Sequence, residues 1–396
     1  MSLTDAYMNR LLDQVVDLLE IPPSYYQRAA DRYHSLGKWL SREQSQVAGF
    51  DSHVYPQGSF RYGTVVRPLF ESETYDLDLV CEVAMSKSVF SQKEMKHLIG
   101  DEIKAYAAAH SFQEPAKEKK RCWTLNYADA VSFHMDILPS IPEDDACRAV
   151  LLKQGVPMHL AMKSVAITDK EHPKYEVIDP DWPCSNPGGF AEWFEDRMKV
   201  VAEGRARQLV LAEAYASIDK VPAWEWKTPL QRAIQILKRH RDVVFQKNCS
   251  IKPISMIITT LAAHAYDGEA DIYDALANIV ERMPAFVGAT KPKIPNPVHP
   301  DEDFADRWNS DECLERNFWN WHTQVKADIS NLRDYLGKTE LPAMVERRFA
   351  VGLPEDQTKE LAAFGIAVTG QVSRPTSAAP VVKIGPAPRP WRKNVF

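Results

Sequence analysis

The stretch Tyr75-Asp76-Leu77-Asp78-Leu79-Val80 restricts what this chain can fold into more than any other segment. Strict alternation of polar and apolar residues has the period of a strand, not of a helix. Tyr75, Leu77, Leu79 and Cys81 fall on one face. Asp76 and Asp78 fall on the other, roughly 7 Å apart along the strand at about 3.3 Å per residue. Carboxylates placed so closely repel, so they need either a solvated strand face or cations that neutralise them. The run is apolar enough to predict a central strand, which favours the second reading.

Further along, His134-Met135-Asp136-Ile137 repeats the pattern, with Asp136 directed away from Met135 and Ile137. If this strand pairs beside the first, Asp76, Asp78 and Asp136 converge into an oxygen-rich site suited to one or two Mg2+. Two such ions about 4 Å apart would activate a ribose hydroxyl and stabilise a leaving pyrophosphate. His134 shares the face of Asp136 and reads as a packed or hydrogen-bonded side chain rather than a ligand. Upstream, Gly58 and Ser59 stand where a strand around Val54 turns into a short helix. A glycine there lets the backbone approach a ligand, and a serine hydroxyl with helix-terminal amides can hold phosphate oxygens. Taken alone, the pair is equally a turn with a cap.

The rest of the chain supplies a frame for these residues. Leu11, Leu12, Val15, Val16 and Leu19 form a helical stripe, Pro22 and Pro23 interrupt it, and Tyr26, Ala29, Tyr33, Leu36, Leu40 and Val47 resume it. Residues 75–83, 121–128 and 131–141 alternate like strands, with a helix from about Ser91 to His110 between them. This predicts an α/β unit with a mixed sheet. Pro/Gly-rich loops through CSNPGG (184–189) lead into a helix-dominated part from Phe190 to about Leu353, so two facing lobes are expected. From Gly370 onward there are five prolines, five basic residues and no acidic one, the composition of a mobile tail tethered at most by Trp391 or Phe396.

Composition excludes several classes. A length of 396 residues can bury a large core, and 45% hydrophobic with 26% charged residues is ordinary globular usage. The formal charge of −6, without a long basic block outside the tail, argues against a nucleic-acid coat protein. The longest apolar run, around Ile254 to Ala263, is too short for a bilayer span of about 20 residues. The amino terminus has no secretory pattern, so a cytoplasmic location is expected. The six cysteines lack a C-x-x-C pair and read as free thiols, with no structural zinc expected.

Gly58-Ser59, Asp76-Leu77-Asp78 and Asp136 together resemble the signature of the polymerase-β-like nucleotidyltransferase superfamily. More narrowly, Ser185-Asn186-Pro187, KRHRD (238–242) and KPISMIITTLAAHAY (252–266) are similar to the bacterial relatives of cyclic GMP–AMP synthase, the CD-NTases of CBASS antiphage defence. The similarity covers roughly residues 5 to 350. It implies a bilobal α+β fold: N-terminal helices and a mixed-sheet catalytic core (1–189), a helical nucleotide-binding lobe (190–368) and a Pro-rich basic tail (369–396). It also implies a Mg2+-dependent enzyme that joins ATP and a second NTP, GTP or a pyrimidine nucleotide, into a cyclic di- or trinucleotide with release of pyrophosphate. Two Mg2+ are implied, with Mn2+ able to substitute.

Carried over by residue, Asp76 and Asp78 would bind both metals, and Asp136 would bind the one that activates the attacking hydroxyl and take its proton. Gly58, Ser59, Lys238 and Ser255 would hold the triphosphate, and Ser185 and Asn186 would lie near the donor base and ribose. Each of the last four has a plain alternative: Lys238 a solvated charged face, Ser255 a cap after Pro253, and Ser185-Asn186 an Asn-Pro turn. The sixteen residues between Ser59 and Asp76 make a longer spacer than the superfamily's most compact ones, which leaves the entry of the acceptor nucleotide open. The Cys/His insertion by which the animal synthase engages DNA has no counterpart, so double-stranded DNA is not expected as activator. The tail is expected to serve protein partners or C-terminal modification in a defence operon. Two further readings remain: transfer to an RNA, protein or small-molecule acceptor, and a catalytically silent nucleotide-sensing scaffold.

Overall fold

A computed structural model describes residues 3–70, 73–127, 133–202, 227–335, 338–359 and 361. The tail expected at 369–396 lies outside the described residues, as do residues 203–226. The described residues form two compact units, one within Ile21–Lys227 and Asn296–Glu302, the other within Met1–Glu20, Thr228–Pro295 and Asp303–Phe396. The first helix, α1 (Leu3–Leu19), belongs to the second of these, where the Asn9 side chain accepts a hydrogen bond from the backbone N–H of Tyr273 at 2.8 Å. Along the sequence, the chain passes from one unit to the other after Glu20, Lys227, Pro295 and Glu302.

The first unit contains α2 (Pro23–Leu40), β1 (His53–Gln57), α3 (Gly58–Arg61), β2 (Tyr75–Glu82), α4 (Gln92–Ala109), β3 (Lys117–Glu118), β4 (Trp123–Tyr127), β5 (Phe133–Pro142), α5 (Asp145–Lys153), α6 (Met158–Ala161), β6 (Val165–Ile167), β7 (Cys184–Ser185) and α7 (Pro187–Ala202). The sheet runs β1-β2-β5-β4-β3, with β6 joining β5 to β7. It is mixed, because β2 and β5 are parallel and the other pairs antiparallel. Proline begins α2, where its missing N–H removes nothing from the helix. A capping box opens α4: the Ser91 hydroxyl accepts from the Glu94 N–H, and the Glu94 carboxylate from the Ser91 N–H.

One core lies between α2, α4 and the sheet, and it fixes which way the strands face. Leu77 and Leu79 of β2 and Met135 and Ile137 of β5 are completely buried there, with Tyr33 and Leu36 of α2 and Ile99 and Ile103 of α4. Each such side chain is worth about 1.5–3 kcal/mol when buried. A one-residue slip would expose these four and bury three carboxylates, so the register is strongly specified. Gly100 lets the Trp123 indole lie against α4, since a Cβ there would sit 2.2 Å from the ring, and the indole N–H donates to the Lys96 carbonyl at 2.9 Å.

The second unit adds α8 (Pro229–Val244), α9 (Ser255–Ala265), α10 (Ile272–Arg282), α11 (Glu312–Asn331) and α12 (Leu341–Phe349) to α1. Thr228 and Gln231 form a second capping box at the start of α8. Inside, the Trp321 N–H donates to His240 Nδ1 at 3.1 Å, so the ring's proton is on Nε2 and points to Asp328 at 3.0 Å. Burial holds His240 below the usual imidazole range, which keeps it neutral. No described helix is long and apolar enough to cross a membrane.

Candidate active site

The parallel pairing of β2 with β5 sets Asp78 opposite Asp136 and Asp76 opposite His134. Residues opposite one another on neighbouring strands share a face, and such strands lie about 4.8 Å apart. Asp78 and Asp136 thus stand side by side, with Asp76 one strand step away, all on the face opposite the core. Their oxygens are not drawn within 4.8 Å of one another as a trio; among the described residues only Glu143, Cys147 and Cys184 are that compact. Like charges repel, and Asp136 takes partners of its own.

Those partners come from neighbouring segments that sequence reasoning did not single out. The Thr124 hydroxyl, opposite Asp136 on β4, donates to its Oδ1 at 2.5 Å. The Lys119 ammonium donates to both Asp136 oxygens at 3.2 Å. Burial and the Asp136 charge push the neighbouring Cys122 thiol up to about 12, which leaves it protonated. The only signal for Thr124 was a hydroxyl inside the alternating run RCWTLNYA, where a buried donor must find an acceptor. Thr124→Val keeps the shape and removes that bond, which to a charged acceptor is worth about 1.5–3 kcal/mol. Turnover is expected to fall about tenfold or more while the midpoint of unfolding drops by only several degrees, read by product formation beside thermal melting.

On the other side of β2, Gln57 pairs with Asp78, so the chain turns from β1 into α3 at the level of that carboxylate. Gly58 has φ +68°, and a Cβ on it would lie 2.2 Å from Asp78 Oδ2. Two separate constraints, backbone conformation and space, therefore require glycine. The turn is closed by the Tyr62 N–H on the Gly58 carbonyl at 3.1 Å and by the Thr64 N–H on that of Ser59 at 2.9 Å. Ser59 is half-buried in the first turn of α3, beside this close approach. Tyr62 packs against Phe190 and Phe194 of α7, and burial followed by the Asp78 charge raises its phenol far above the usual range.

The remaining predicted residues have distinct placements. Ser185 is half-buried on β7, opposite Val165. Asn186 is fully buried: its Nδ2 donates to the carbonyls of Leu160 and Val298 at 3.0 and 3.1 Å, and its Oδ1 accepts from the Gly189 N–H at 2.9 Å. Both Nδ2 hydrogens are taken by main-chain carbonyls and Oδ1 holds the start of α7, which is the turn reading of Ser185-Asn186-Pro187. Lys238 and Ser255 belong to the other unit. Lys238 is buried on α8, and Ser255 is the first residue of α9 rather than its cap. Arg241, one turn after Lys238, donates to Ser255 Oγ at 3.0 Å and to the Pro253 carbonyl at 3.1 Å. The structure thus brings Asp76, Asp78, Asp136, Gly58 and Ser59 to one sheet face, and links Ser255 to the helix that carries Lys238.

Residues 52–139 match the family described as "Cyclic GMP-AMP synthase DncV-like, nucleotidyltransferase domain", a span that contains the whole carboxylate face. A c-di-GMP synthase from Roseivirga ehrenbergii is 28% identical over 344 residues, covering 85% of this chain and 83% of that protein. The cyclic dinucleotide synthase CdnG from Bradyrhizobium diazoefficiens is 23% identical over 333 residues, 81% of this chain and 74% of that one. The structure of the Bradyrhizobium diazoefficiens CD-NTase CdnG in complex with GTP superposes with a TM-score of 0.62 at 20% identity, over 92% of this chain and 99% of that one. That likeness bears on the fold, and it agrees with the mixed sheet and helical complement described above.

Proposed function

Because the chain belongs to the bacterial CD-NTases, nucleotidyltransferases that join NTPs into cyclic oligonucleotides, we propose that it condenses two nucleotides, at least one from GTP, into a cyclic dinucleotide on the Asp76–Asp78–Asp136 face. The pairing of Asp78 with Asp136, with Gly58 pressed against Asp78, is the observation that carries the site. Guanine is favoured by the names of the relatives, one a c-di-GMP synthase and one solved with GTP, and ATP stays the alternative for the second position.

The family's chemistry depends on divalent metal, and the donors here suit it: three carboxylates and a hydroxyl are hard oxygen ligands. In this reading Asp76 and Asp78 would hold two Mg2+, replaceable by Mn2+, and Asp136 would join them as a ligand of one. Bound there, the ions lower that hydroxyl's pKa and neutralise charge on the leaving pyrophosphate. Asp136 accepts the hydroxyl proton, and Thr124 keeps its carboxylate aimed while it does so. Lys119, partly exposed, gives up Asp136 as the site charges. Gly58 lets the main chain come close to the triphosphate and Ser59 donates to it; Lys238 and Ser255, in the other unit, are proposed as nucleotide contacts. No covalent enzyme intermediate is needed, so the residues contribute positioning and electrostatics. Antiphage defence is proposed as the setting, with the product acting as a second messenger.

Incubating the purified chain with single and paired labelled NTPs and Mg2+, followed by mass spectrometry, tests this. GTP, alone or with ATP, should yield a phosphatase-resistant cyclic product. Product from ATP alone and none containing guanylate would overturn the base assignment. Label found only on an added macromolecule, or no product from any NTP mixture with Mg2+ or Mn2+, would overturn the synthase.

A further inference from the structure

Away from the carboxylate face, the end of β5, the first turn of α5 and β7 bring together two thiols and a carboxylate. Cys147 Sγ lies 2.9 Å from Cys184 Sγ, and one Glu143 oxygen completes a trio whose ligand atoms are all within 4.8 Å of one another. The sulfur separation is well inside ordinary non-bonded contact, about 3.5 Å or more, and well outside a disulfide bond of about 2.05 Å. Glu143 is 4% exposed. One of its oxygens pairs with the Lys87 ammonium, while Oε2 is buried with no hydrogen-bond partner among the described residues. A buried carboxylate oxygen without a donor costs free energy unless a cation or donor meets it.

We propose that Cys147, Cys184 and Glu143 form a binding site for a thiophilic divalent cation of the Zn2+ class, separate from the carboxylate face.

The donor set decides the class of ion. Two sulfurs and one oxygen suit Zn2+ and its neighbours, whereas Mg2+ and Ca2+ take oxygen donors. Ionisation is favoured at one sulfur by position: Cys147 is the third residue of α5, and its N–H is held by the capping Asp144 carboxylate at 2.9 Å, so the thiol sits at the positive end of a nine-residue helix. Lys87 bridges Glu143 to Asp144 Oδ2 at 3.3 Å, which fixes the carboxylate as an outer partner fixes a metal ligand. Oxidation to a disulfide would leave Glu143 Oε2 unmatched, whereas a cation meets all three groups. Spacing hid the site, because the two cysteines are far apart in sequence and each read as a free thiol. Its consequence is local: the ion would tie the start of α5 to β7, the strand that carries Ser185.

The full chain, stripped with a chelator under reductant, is titrated with Co2+ and then Zn2+. One equivalent of Co2+ should bind with a thiolate charge-transfer band that Zn2+ removes and excess Mg2+ does not. Cys147→Ser and Cys184→Ser should abolish the band, and Glu143→Gln should weaken binding about tenfold or more. Bound Zn2+ should raise the thermal midpoint by about 5 °C or more. Should a serine variant fail to fold, alkylation of the wild-type chain decides: Zn2+ should protect Cys147 and Cys184 and spare no modification at exposed Cys249. A folded wild-type chain with no thiolate band, equal alkylation with and without Zn2+, or a 147–184 disulfide persisting in reductant would overturn the proposal.

Discussion

Asp78→Asn is expected to lower the rate of cyclic product formation about 10³-fold or more while the chain still folds. The charge removed is one of three facing the proposed metals, and metal electrostatics supply several kcal/mol of transition-state stabilisation, about 1.4 kcal/mol for each factor of ten. The cost to the fold is small, because Asp78 is half-buried on the face opposite the core and its neighbour Asp136 is a like charge. A melting shift within about 3 °C is expected. Steady-state rates in Mg2+ beside thermal unfolding of the same preparation check both parts. A variant that kept a tenth of wild-type activity would remove Asp78 from the reaction.

Gly58→Ala should be nearly as damaging through a single methyl group. Its φ of +68° costs an alanine about 1–2 kcal/mol, which a domain of this size tolerates. The added carbon would meet Asp78 Oδ2 at 2.2 Å, and the carboxylate end moves more easily than the backbone. The fold therefore survives while a metal ligand is displaced, and about a 10²-fold loss of activity is expected with a melting point only a few degrees lower. Equal losses in Gly58→Ala and in an unrelated surface variant of matched stability would show that the close approach has no catalytic role.

These two positions also show what could be read before the fold was seen. Alternation around Asp76, Asp78 and Asp136 is a local, period-two signal enforced by Leu77, Leu79, Met135 and Ile137, whose burial leaves the carboxylates one face to occupy. The glycine turn before β2 and the Ser91 cap of α4 are equally local. What depends on pairing between distant segments was not legible. Thr124 and Lys119 acquire meaning only when β4 lies beside β5, and Cys147 meets Cys184 only when β7 is placed. The stripe of Leu11, Val15 and Leu19 shows that α1 is buried but not that its partners are α8 and α10. Asn186 carries the residue type of a ligand contact, yet its amide is consumed by main-chain groups from three segments.

Anomalous diffraction from crystals grown with Mn2+ and a non-hydrolysable GTP analogue shows where cations and triphosphate meet the sheet. Two manganese peaks about 4 Å apart, both ligated by Asp76 and Asp78 and one also by an Asp136 released from Lys119, are predicted. Manganese and analogue bound elsewhere, with Asp136 still held by Lys119 and Thr124, would take the reaction off this face.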